Sequence, residues 1–86
     1  MGSIEEVRAG IAAANELASE ALGAAQQCHA SLEQAQGALM RAVEGSGQAD
    51  VTTAVGLAAQ SVNDADQLRQ LIAALISESE SISNRL

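Results

Sequence analysis

The chain has 86 residues, contains no Phe, Trp, Tyr or Pro, and carries a formal net charge of -7. A chain of this length folds as one small domain with a limited core. Binding to a phosphate backbone or to an anionic membrane surface needs clustered Lys and Arg, so we expect neither nucleic acid nor a membrane as a partner. No run approaches the roughly 18 apolar residues of a membrane-spanning helix.

Apolar residues recur with a 3-4 spacing along the first half of the chain. We count Ile4 as position a of a heptad with positions a to g. Position a then holds Ile4, Ile11, Ala18, Ala25, Leu32 and Leu39. Position d holds Val7, Ala14, Ala21, Cys28, Ala35 and Ala42. This spacing places both rows on one stripe of a helix. Ser3 and Glu6 form a capping-box pattern, so the first helix is predicted over about 3–44.

The periodicity is interrupted once, at a glycine-containing turn predicted over 45–49. Gly45 suits the left-handed conformation that follows a helix, and Asp50 is a typical N-cap for the next helix, with Ser46 as a rival. With Val51 as position a, row a holds Val51, Ala58, Ala65, Ile72, Ser79 and Leu86. Row d holds Ala54, Ser61, Leu68, Leu75 and Ile82. A second helix is predicted over about 50–84, with fraying in its serine-rich last two turns.

Two long helices joined by a short turn lie antiparallel, which predicts an all-α helical hairpin forming a single domain over residues 1–86. The small residues of row d in the first helix permit close approach, so we expect this row to contact the second helix. Cys28 lies in the same row. Core packing is its ordinary interpretation, and a contact between two copies of Cys28 across a dimer axis is the alternative.

Apolar residues extend beyond rows a and d into the flanking rows e and g. Each large apolar side chain left in water forgoes roughly 1.5 to 3 kcal/mol of burial, which favours self-association. A homodimer that forms a four-helix bundle or coiled coil is the simplest arrangement. A monomeric hairpin with wide apolar flanks is the alternative, and a helical protein partner is a further candidate. The predicted interface residues are Leu17, Leu22, Leu57, Val62, Leu71 and Ile76.

The sequence contains no recognisable catalytic or metal-binding pattern. Cys28 and His29 are neighbours, which diverge by about 100° on a helix and do not converge on one ion. Residue 26 is Gln, so the Glu-x-x-His motif of di-iron bundles is missing. His29 is expected to be solvated or to pair with Glu33, one turn further on. We therefore predict no enzyme activity, no cofactor, no metal and no small-molecule substrate.

The two long helices, the acidic composition and the glycine-containing turn resemble the WXG-type helical hairpins of type VII secretion and the small actinobacterial proteins related to them. The likeness covers the whole chain. It implies an antiparallel four-helix dimer that acts as a secreted partner or as a targeting module for larger toxins. At the place of the family's Trp-x-Gly turn, residues 44–47 read Glu-Gly-Ser-Gly, and no Tyr or Phe supplies the aromatic residue of its export signal.

These patterns together predict a non-catalytic protein-protein interaction module that self-associates and takes part in a secretion or toxin system. A cytosolic scaffold protein that assembles into larger bundles is the alternative. Glu5 and Glu6 lie where a secretory signal has a basic region followed by an apolar one. We therefore expect a location in the cytoplasm, or export without a classical signal peptide.

Overall fold

The computed structural model describes residues 2–86 and consists of two antiparallel helices, α1 (Ile4–Ala42) and α2 (Ala49–Arg85), joined by the turn 43–48. The predicted all-α hairpin is confirmed. The molecule measures 63 × 18 × 16 Å and has a radius of gyration of 19.2 Å. A globular domain of this length has a radius of gyration of about 12 Å. The hairpin is therefore a rod, and most of its residues lie near the surface.

The limits of α1 follow from its capping residues. Ser3 is the N-cap, and its hydroxyl accepts a hydrogen bond of 3.1 Å from the amide of Glu6, as the capping box predicts. Acidic residues in the first turn and Arg41 in the last turn complement the helix dipole. At the other end Val43 is the C-cap, and Gly45 adopts the predicted left-handed conformation with a φ of +82°.

The start of α2 differs from the prediction. Gln48 is the N-cap, without a side-chain hydrogen bond, so the predicted caps at Asp50 and Ser46 are wrong. Asp50 lies inside the first turn of the helix, where its carboxylate accepts a hydrogen bond of 2.9 Å from the amide of Val51. A negative charge in this turn is favourable beside the positive end of the helix dipole. The helix therefore begins before Asp50 rather than after it.

The end of α2 lies within one residue of the predicted end at about 84. The helix continues through its serine-rich segment as far as Arg85. Ser79 and Ser83 are half-buried in this segment. Packing against α1 therefore holds turns that serine by itself would leave weak, because tertiary contacts supply most of the stability of a helix in a protein.

The two helices meet along rows a and e, and not along rows a and d as predicted. Ala25 and Ala65, both in row a, are the two buried residues of the described chain. The half-buried e-row residues of α1 are Asn15, Leu22, His29, Gln36 and Val43. Those of α2 are Val55, Val62, Arg69, Ile76 and Ser83. Row d of α1 is exposed along its whole length, including Cys28. The prediction that this row contacts α2, and the core packing of Cys28, are therefore wrong for the single chain.

Alanine substitutions at two glycines test the helical conformation at residue 23 and the left-handed conformation at residue 45. A Cβ added at Gly23, inside α1, meets no atom within 4 Å, and the same holds for Gly45 in the turn. Gly23→Ala should stabilise the hairpin by about 1 kcal/mol through helix propensity. Gly45→Ala should destabilise it by about 1 to 2 kcal/mol, because a left-handed conformation is strained for alanine. Denaturant unfolding followed by circular dichroism measures both, and shifts of the same sign would contradict the assignment.

Candidate interaction surface

The two flat sides of the hairpin are formed by different heptad rows. In an antiparallel pair that meets along rows a and e, the d rows of both helices flank the contact on one side, and the b rows flank it on the other. We call the side formed by the d and g rows of both helices the apolar face. We call the side formed by the two b rows the polar face.

Large side chains on the apolar face come mainly from α2. Leu57, Leu68, Leu71 and Leu75 are between 52% and 68% exposed, and Ile82 continues the row. The same face of α1 is mostly flat, because its exposed d row consists of alanines and Cys28 between Ala14 and Ala42. One side of the hairpin thus carries a ridge of leucines next to a shallow strip of small residues.

Charge is distributed unequally between the two sides. The d rows of both helices contain no charged residue, and the g row of α1 contains none either. On α2, the charged residues Asp50, Asp64, Glu78 and Arg85 lie in row g, at the outer edge of the apolar face. The polar face carries acidic residues in both helices, among them Glu33 and Asp66. The leucine ridge therefore borders charged groups only along one edge.

The six predicted interface residues fall into two groups. Three are exposed and lie in row g on the apolar face: Leu17, Leu57 and Leu71. The other three lie in row e and are half-buried in the contact between the helices: Leu22, Val62 and Ile76. Leu68 and Leu75, in row d of α2, were not among the predicted interface residues, and both are exposed on the apolar face. The sequence feature that distinguishes these two leucines is their large size compared with the small d-row residues of α1.

A group of polar side chains lies at the contact between the helices near its middle. His29 Nδ1 is 3.5 Å from Glu33 Oε1, as the i, i+4 spacing predicts. On α2, Arg69 and Gln70 donate hydrogen bonds to the two carboxylate oxygens of Asp66. The hydrogen bond from Arg69 lowers the pKa of Asp66, and the charges of Arg69 and His29 act in the same direction, while partial burial opposes them. The influence of His29 on Asp66 crosses from one helix to the other.

The described residues 2–86 form open grooves but no cluster of metal ligands. Among them, no three His, Cys, Asp or Glu side chains come together as metal ligands. Neither helix contains, within this range, a stretch that is long and apolar enough to cross a bilayer. An open groove of about 250 Å³ lies at the turn between Met40, Val43 and Val55. A second open groove, of about 410 Å³, lies on the outer side of α2 between Gln67, Gln70, Leu71 and Ala74.

Comparisons with known proteins give no match. No known protein family matches the sequence, and no significantly similar curated protein or solved structure was found. The class that the fold defines is the all-α helical hairpin. The functional interpretation is therefore based on the surface of the hairpin.

The hydrogen bonds of Asp66 predict a change of stability in acid. Because its pKa is lowered in the folded state, ionised Asp66 stabilises the fold above its ordinary pKa of 3.8, and this contribution is lost as the pH falls further. Asp66→Asn should therefore be less stable than the wild type near neutral pH, and the difference should shrink in acid.

Thermal unfolding at a series of pH values measures this difference. Glu80→Gln is the matched control, since Glu80 lies in the same row of α2 and makes no hydrogen bond or ion pair among the described residues. An Asp66→Asn variant with the same pH dependence as the wild type would show that the contacts of Asp66 contribute nothing to stability.

Proposed function

We propose that this protein is a non-catalytic interaction module that self-associates through its apolar face, forming a dimer with a four-helix bundle. The observation that carries this proposal is the lack of a core in the single chain. Of residues 2–86 only Ala25 and Ala65 are buried, and no large side chain among them is fully buried. A folded domain must offset a large loss of conformational entropy, mainly through apolar burial. Two alanines contribute little to that burial.

The accessible surface supports the same proposal. The chain exposes 6120 Å², whereas a compact monomer of 8.7 kDa exposes roughly 4,700 Å². The excess of about 1,400 Å² is larger than the approximately 800 Å² that each partner buries in a typical stable interface. A second hairpin stacked on the apolar face would remove much of this excess and add the missing layer of the core.

The distribution of charge favours the apolar face over the polar face as the surface that binds a second copy. The chain has a net charge of -7, so two copies repel each other at a distance. Most of the acidic residues lie outside the apolar face, and a bundle formed through that face keeps them in water. Screening by salt then limits the repulsion between them. Self-association through the polar face would instead enclose the acidic residues of both b rows in the interface, namely Glu5, Glu33, Asp66 and Glu80 of each copy.

The resemblance to WXG-type hairpins adds a biological setting to this proposal. A module without catalytic residues acts by occupying the surface of another protein, and secreted partners and targeting modules of type VII secretion act in this way. The hairpin fold agrees with that resemblance. We therefore include a role beside a secretion or toxin system in the proposal, with the cytosolic scaffold as the alternative.

Solution mass tests the self-association. Light scattering with refractive-index detection suits a chain without Trp or Tyr, and we expect a mass near twice 8.7 kDa. Leu68→Asp should weaken the dimer at least about 100-fold, since each copy loses about 1.5 kcal/mol or more of burial. Ala73→Asp introduces the same charge on the polar face of α2 and should leave the dimer intact.

The outcome of the mass measurement separates the alternatives. A wild-type protein that stays monomeric at high concentration would contradict self-association. A mass that keeps rising with concentration would favour the scaffold that forms larger assemblies. Equal weakening by Leu68→Asp and Ala73→Asp would show that the apolar face is not the interface.

Localisation tests the secretion part of the proposal. In the organism that encodes the chain, the protein should be found in the culture medium, and it should be retained in cells without a functional type VII system. A cytosolic marker protein controls for lysis. Retention in the cells of both strains would contradict the secretion role and leave the self-association unaffected.

A further inference from the structure

We infer that the two copies stack with α1 of each on α2 of the other, so that both turns lie at the same end of the bundle. This inference rests on the proposed self-association and adds the arrangement of the two chains. It depends on the unequal sizes of the side chains that the two helices contribute to the apolar face.

Symmetry leaves two ways to pair this face with itself. The commonest dimers have a two-fold axis, and here the axis must lie in the plane between the two faces. If the axis runs along the helices, α1 lies on the partner's α2 and both turns lie at the same end. If the axis runs across the helices, α1 lies on the partner's α1, α2 lies on the partner's α2, and the turns lie at opposite ends.

The sizes of the facing side chains favour the first arrangement. The distance between packed helices varies between about 8 and 10 Å with the side chains at the contact. Pairing like with like would set alanine against alanine at one pair of helices and leucine against leucine at the other. The alanine contact favours a short distance between helices and the leucine contact favours a long one. Two hairpins stacked flat cannot adopt both distances. Pairing α1 with α2 gives two equivalent contacts, in each of which the leucines of α2 mostly face small residues of α1. Leu17 of α1 is the exception, because it lies at a level between the partner's Leu71 and the partner's Leu75.

The positions of residues along the two helices place small residues of α1 at nearly the same level as leucines of the other copy's α2. The turn 43–48 is centred between residues 45 and 46, so residues whose numbers add up to 91 share a level in the antiparallel pair. A sum of 88 or 89 displaces two residues by only about 3 to 4.5 Å along the helices. A two-fold axis along the helices keeps these levels between the copies. Ala14 then faces the partner's Leu75, and Ala21 faces the partner's Leu68.

The inferred arrangement also accommodates the charged residues at the edge of the apolar face. Asp64 and Glu78 of α2 lie near the levels of Ala24 and Gly10 of α1. In the inferred arrangement each of these carboxylates therefore borders a small uncharged residue of the other copy.

Disulfide trapping between two different chains tests the arrangement. A disulfide requires Cα atoms within about 7 Å. Cys28 lies near the level of Ser61, and both lie in row d, so Cys28 should face position 61 of the other copy. The first chain is the wild type, whose single thiol is Cys28. The second is the isotopically labelled double variant Cys28→Ser, Ser61→Cys. The two chains are mixed under reductant, oxidised gently and examined by intact mass.

We expect the mixed disulfide to form faster than a disulfide between two copies of either chain. A second pair of chains, Ala35→Cys in one and Ala54→Cys in the other, both with Cys28→Ser, should behave in the same way. These positions carry small residues, so the substitutions preserve the shape of the face.

The other outcomes overturn the arrangement and show what replaces it. Disulfides mainly between identical chains, or no disulfide at all from chains that light scattering shows to be dimers, would contradict the inferred stacking and leave self-association standing. Chains that are monomeric by mass and form no mixed disulfide would contradict both the arrangement and the proposed self-association.

Discussion

Two helices lying side by side share a single line of contact, and this limits how much apolar surface one hairpin can bury. Each helix turns only a narrow stripe towards the other, here rows a and e. The result is a rod in which only Ala25 and Ala65 of the described residues are buried. Domains consist of at least two packed layers of secondary structure around a core. A hairpin supplies one layer, so the proposed stability and role of this protein both depend on a second one.

The choice of rows at the contact determines what the surface offers. Because row e faces the other helix, its polar members, such as His29 and Arg69, are half-buried beside apolar ones. Row d, with Leu68 and Leu75, remains exposed. A contact along rows a and d would have buried these leucines and left the polar members of row e in water. The hairpin thus leaves an uncharged row with exposed leucines on its surface, while most of its acidic residues lie outside the apolar face.

Local signals in the sequence predicted local features well. The N-cap hydrogen bond of Ser3, the left-handed Gly45 and the pairing of His29 with Glu33, one of the two outcomes expected for that histidine, were read from short spacings. Each is formed within one or two turns of chain. The heptad pattern predicted the hairpin but not its contact, because rows a and d and rows a and e both satisfy the 3-4 spacing. Which pair of rows forms the contact depends on the side chains of both helices together, so the pattern of one helix alone does not predict it. The start of α2 was missed because Asp50 favours the first turn of a helix as well as its cap.

If the proposed self-association is right, the hairpin owes its stability to a second copy. Thermal unfolding followed by circular dichroism over a wide range of protein concentration tests this dependence, because association stabilises the folded state by mass action. We expect an unfolding midpoint that rises steadily with concentration, together with loss of helix at the lowest concentrations. A midpoint that is high and independent of concentration would show that the single chain is stable by itself and would contradict the proposed dependence on a second copy.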